Sequence, residues 1–186
     1  GLGLGLTGQA RVLDSRNKRP DSLVAARQAV EVLQPLASSA SPSVSARRTI
    51  GFANLYLGFS QQRNNEEEAS VKSLEAARDA YRSIDGLKLD DLPSAVAYAE
   101  ASAWEVEALR ALGRIDEARR VTAEATHVAG QVLERRPSHM GALRARALLQ
   151  SALANAEWNE LHVEKAHELF RQAVVAVRRR VRVTRF

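Results

Sequence analysis

Glu124 and His127 stand three residues apart, and so do Glu164 and His167. That spacing puts an acid and an imidazole on one helical face, as in the di-iron sites of helical bundles. Such a site also needs the two pairs at one depth and two further inward carboxylates. Glu124 falls about nine residues into its helix and Glu164 about one, an offset of roughly 12 Å along the axes at 1.5 Å per residue. The apolar pattern moreover assigns the core positions to Ala125 and Ala173 and leaves the histidines to solvent. No metal ligand set is expected. The opening Gly1-Leu2-Gly3-Leu4-Gly5 is glycine-rich, but a phosphate loop needs a preceding strand and a Gly-Lys-Ser/Thr ending, and neither is present. It reads as a frayed first helix.

His127, His139, His162 and His167 lie near Ser and Glu residues with no Ser-His-Asp or nucleophile-elbow pattern. The chain has no cysteine, which excludes disulfides, thiolate catalysis and cysteine-based zinc sites. No catalytic residue and no cofactor is expected, and the chain does not read as an enzyme. The strongest charge run is the ending, where Arg178, Arg179, Arg180, Arg182 and Arg185 form a candidate basic arm. Arginine at a helix end also complements the macrodipole, and the stacking aromatics of a single-strand binder are missing apart from Phe186.

These side chains hang on helices. Thirty-two of 186 residues are alanine, Gly and Pro together number 15, and Val and Ile never alternate as in a strand. A 48-residue period organises the chain. Ala10, Gly58, Val106 and Ala154 form one small-residue set; Ser22, Ser70, Ala118 and Ala166 form a second; Ala29, Ala77, Ala125 and Ala173 form a third. A fixed period of this size signals a repeat array whose units bury their apolar faces against one another.

Each period predicts two antiparallel helices. First helices are expected at roughly 2–13, 43–62, 94–112 and 139–157, and second helices at 20–34, 66–84, 115–135 and 163–180. Pro20, Pro42, Pro93 and Pro137 mark starts. Turns are expected at Asp14–Arg19, Arg63–Asn65, Gly113-Arg114 and Trp158–His162. Second helices open on acids, Asp21, Glu66 to Glu68, Asp116 with Glu117, and Glu164, as the helix dipole prefers. The fold class is all-α, an α-solenoid of antiparallel helical hairpins at 1–37, 42–86, 92–136 and 138–182, forming one domain. Small residues let backbones approach to 8–10 Å, so Gly58→Leu should overpack, while helix propensity alone makes Gly58→Ala neutral or stabilising.

The segment Ala166-x3-Phe170-x2-Ala173 resembles the second-helix signature of tetratricopeptide repeats. Leu57-Gly58 and Leu153-Ala154 are similar to that family's first-helix Leu-Gly, each followed twelve residues later by a small residue, Ser70 or Ala166. Gly113 to Ala118 sits like its Gly-x-x-x-x-Ala turn. The resemblance covers nearly the whole chain, with a period longer than the usual 34 residues. It implies a tetratricopeptide-like superhelix whose first helices line a concave groove for extended or helical peptides. Carried over, the groove takes Phe52, Leu55 and Phe59, then Glu100, Ala103, Glu107 and Arg110, then Leu148, Ser151, Asn155 and Trp158, with Trp104 at its edge. The family's carboxylate clamp is met only at Asn155.

The expected partner is therefore a protein or peptide, with a homodimer as the self-association alternative. Residues 1–50 carry +4, 51–100 carry −4, 101–150 carry +2 and the remainder +3. An acidic second repeat disfavours nucleic acid, which usually meets one basic stripe. No apolar run reaches the ~20 residues that span a bilayer, and no secretory leader is evident. A cytoplasmic scaffold segment of a larger, bacterial-type regulatory protein is the expected setting, since the chain opens on Gly1 and its one methionine is Met140.

Overall fold

The computed structural model describes residues 1–84, 92–159 and 161–183, with side chains through residue 175. Among these residues there are eight α-helices and no strand. They are α1 Leu2–Ser15, α2 Arg19–Ala37, α3 Val44–Gln62, α4 Glu67–Arg82, α5 Leu92–Ala111, α6 Ile115–Arg135, α7 Met140–Asn159 and α8 Val163–Val183. The chain divides into two compact units, Gly1–Gly86 with α1 to α4 and Leu87–Phe186 with α5 to α8. Most helix ends fall within two residues of those read from the sequence. Two depart by three: α2 ends at Ala37 rather than 34, and α8 ends at Val183 rather than 180. In α2 the helix passes through Pro35. Pro35 sits in the final turn, where the bond it cannot donate would go to the carbonyl of exposed Glu31, which water can satisfy.

The 48-residue period is written into the backbone. One residue at each of the four short turns has a left-handed φ: Asn17 (59°), Asn65 (60°), Gly113 (72°) and Leu161 (62°). The residue after each donates its N–H back across the turn: Lys18 to Leu13, Glu66 to Gln61, Arg114 to Leu109 and His162 to Glu157, at 2.9, 3.0, 2.9 and 2.9 Å. This is the six-to-one bond of a Schellman ending, which satisfies a carbonyl the helix leaves orphaned. Asn and Gly tolerate that φ, whereas leucine does so only with strain.

The three small-residue sets are buried throughout. Ala10, Val106 and Ala154 are fully enclosed, as are Ser70, Ala118, Ala166, Ala29, Ala77 and Ala125; Ser22 and Ala173 follow closely. Within the first unit the contact also carries a hydroxyl. Ser22 Oγ donates to the Ala10 carbonyl at 2.9 Å, and Ser70 Oγ to the Gly58 carbonyl at 2.8 Å. At the equivalent positions 118 and 166 stand buried alanines, with no side-chain polar group to satisfy.

In the first unit α3 packs on both α1 and α2, and α4 on α3. Ala29, Leu33 and Ala53 form one cluster with Leu6, Val30 and Ile50; Ala10, Leu23, Ala25, Ala26 and Leu57 form another. In the second unit α7 packs on α5, α6 and α8, with Ile115, Leu153 and Ala156 meeting Leu169. Each buried leucine of this kind contributes about 1.5–3 kcal/mol.

Two glycines read differently in three dimensions. A Cβ on Gly58 would meet Leu74 Cγ at 2.5 Å, and Leu74 is fully buried. The sequence expectation that Gly58→Ala is benign is therefore corrected: packing outweighs helix propensity there. Gly3 belongs to α1 and is not frayed, since the Leu33 side chain lies 2.8 Å from where its Cβ would be.

Candidate interaction face

Residues at i, i+4 and i+7 share a helical face. On α3 that face carries Phe52, Tyr56 and Phe59, each partly exposed, while Ala53, Leu55, Leu57 and Gly58 between them are buried and Asn54 is partly exposed. The rings meet edge to face, Phe52 to Tyr56 at 5.1 Å and Tyr56 to Phe59 at 6.3 Å between centroids. Arg11 of α1 lays its guanidinium over Tyr56, 5.3 Å from the ring centre. Between α1 and α3 lies an open cavity of about 460 Å³, lined by Gly8, Arg11, Val12, Asp14, Ser15, Tyr56 and Phe59. Asp14 is paired with Arg63 at 3.4 Å. Gly8 keeps the cavity wide, since a Cβ there would meet nothing within 4 Å.

The same register recurs on α5 of the second unit. Glu100, Trp104 and Glu107 are partly exposed, while Ala99, Ala101, Ala103, Glu105, Val106 and Ala108 are buried. Glu107 accepts from Arg110 Nε at 2.8 Å, and Glu100 pairs with Arg144 of α7 at 3.4 Å. On α7 Leu148 and Ser151 are half-buried and Asn155 is exposed.

The structure thus joins Phe52 and Phe59 in one aromatic row and pairs Glu107 with Arg110. It places Leu55 one residue off that row, buried at 7 % exposure. Trp104 lies on the open stripe of α5. Trp158 is half-exposed and stacks on His167 of α8 at 5.9 Å. Arg185 and the side chains of Arg178, Arg179, Arg180 and Arg182 lie outside the described residues. Glu124 and His127 are exposed, and His127 meets Gln131. Among the described residues no three His, Cys, Asp or Glu side chains gather as a metal group would need. No helix of the described residues is long and apolar enough to cross a membrane.

Sequence reasoning missed Tyr56 and Arg11. Tyr56 had a signal, since it stands 48 residues before Trp104. It also missed a strongly held buried charge. Glu157 is fully buried, yet its register partners include Leu13 and Leu109. Arg119 of α6 grips it with two bonds, Nε to Oε1 at 2.8 Å and Nη2 to Oε2 at 3.0 Å. His162 Nδ1 lies 2.9 Å from Oε2 and Lys165 Nζ 2.5 Å from Oε1. The Arg119 bonds hold the Glu157 carboxyl down at about 2, from the usual 4.5, against the opposing effect of burial and with further help from Lys165 and His162. All members of this cluster satisfy one another, so it reads as a structural lock among α6, α7 and α8.

Compared with known proteins, the chain matches no family model and no curated protein sequence.

Proposed function

We propose that this chain is a tetratricopeptide-like interaction module, an array of antiparallel helical hairpins. The open face of its first helices receives an extended or helical segment of a protein partner. One observation carries this reading. The same helical stripe, at 52, 56 and 59 on α3 and at 100, 104 and 107 on α5, stays open while its flanks are buried. It bears Phe52, Tyr56, Phe59 and Trp104 where solvated helix faces carry charge. Large aromatics on an accessible face are characteristic anchors of protein contacts. Charge supports a protein partner over nucleic acid, because the stretch 51–100 is acidic.

The test uses a partner captured by the full chain. Phe59→Ala and Trp104→Ala are each expected to weaken binding by about 1–2 kcal/mol, as aromatic anchors do. Binding should also shift tryptophan fluorescence. Arg179→Glu with Arg180→Glu should leave affinity nearly unchanged. If the charge reversal abolished binding and both alanine variants bound normally, the open-face reading would fail and a basic-arm reading would replace it.

A further inference from the structure

The cavity beside α1 has a specific chemistry. Its volume of about 460 Å³ lies within the range of ligand clefts, about 300–1,000 Å³. Val12, Tyr56 and Phe59 offer apolar walls, and Gly8 leaves the floor open. Arg11 brings the charge. Among the described residues it makes the ring contact with Tyr56 but no hydrogen bond or ion pair. A guanidinium held over an aromatic ring keeps its N–H donors, and those donors match a carboxylate in bidentate geometry. The ring already restrains Arg11, so less side-chain entropy is lost when an anion arrives. Asp14, the acid of the cavity, is turned to Arg63.

We infer that this cavity binds an internal acidic–aliphatic peptide segment. The aliphatic side chain packs against Val12, Tyr56 and Phe59, and a side-chain carboxylate lies on Arg11. The inference rests on the open-face reading above and adds the chemistry of the partner. It does not use a chain terminus.

Fluorescence anisotropy of the full chain tests it, with labelled hexapeptides blocked at both ends. One alternates aspartate and leucine, a second lysine and leucine, a third aspartate and glycine. The aspartate–leucine peptide is expected to bind at least tenfold more tightly than either control. Gly8→Leu fills the cavity from a position whose Cβ meets nothing, so it should lose tenfold or more in affinity with no fall in melting temperature. Arg11→Gln should erase the preference for aspartate over lysine. Equal binding of the lysine–leucine peptide would overturn the acidic assignment and leave the open face standing. Unchanged binding in Gly8→Leu would overturn the cavity as the seat. Failure of all three peptides to bind would overturn the inference, and the Phe59 and Trp104 variants would then judge the open face separately.

Discussion

Gly58 and Gly8 differ by what lies above them. An added Cβ at Gly58 runs into Leu74 Cγ at 2.5 Å, and at Gly8 it meets nothing within 4 Å. Gly58→Ala is therefore expected to lose about 1–3 kcal/mol through overpacking. Gly8→Ala should gain up to about 1 kcal/mol from helix propensity. Denaturant midpoints of the two variants check both signs, and a stable Gly58→Ala protein would refute the close contact. Glu157 makes a second prediction at this scale. Its folded pKa of about 2 lies below the usual 4.5, so its contribution is present above about pH 4.5 and is lost as pH falls from there towards 2. The stability gap between wild type and Glu157→Gln should accordingly shrink across that window. Glu157→Leu installs the residue found at 13 and 109. Arg119, His162 and Lys165 keep 29, 53 and 54 % side-chain exposure and can return to water. That variant should stay within about 1 kcal/mol of wild type at neutral pH, since a packed apolar side chain can replace a buried ion group.

The turns set the next scale. Each helix pair closes through one left-handed residue and one bond back across the turn, repeated every 48 residues. Three of the four use Asn or Gly; the fourth uses Leu161, 83 % exposed at φ 62°. Leu161 gains almost nothing from burial and carries the strain of a bulky side chain in that region. Leu161→Gly should raise stability by about 1 kcal/mol, and Gly113→Ala at φ 72° should lower it by a similar amount. Thermal melts of the pair decide it; a loss in Leu161→Gly would mean that the exposed side chain makes a stabilising contact.

At the scale of the molecule, two units each enclose their own core. In the first, the Ala10 and Ala29 clusters draw only on α1, α2 and α3. Arg27 of α2 grips Glu66 ahead of α4 with bonds of 2.9 and 2.6 Å. A fragment of residues 1–86 is therefore expected to show helical circular dichroism and a cooperative melt on its own. A featureless spectrum would show that its core needs the rest of the chain. The open stripes of α3 and α5 fall one in each unit, so the fragment also isolates the aromatic row and cavity from Trp104.

Local signals gave the helices and their turns to the sequence reader. Proline at starts, acids in first turns, and Asn or Gly at 17, 65 and 113 act within a few residues of chain, so they survive without tertiary knowledge. The small-residue sets were legible for a related reason, because a backbone crossing repeated four times repeats its steric demand. The tertiary structure alone decided what meets across helices. Leu74 forbids a methyl on Gly58, Arg119 reaches a glutamate 38 positions away, and Arg11 comes to rest on Tyr56. The groove positions divided along the same line. Phe52 and Phe59 were carried over from the resemblance and lie on the row, but Leu55, carried over with them, is enclosed and Tyr56 was missed. One residue is 100° of helix rotation, and only the packed neighbours fix which edge of an apolar face stays open.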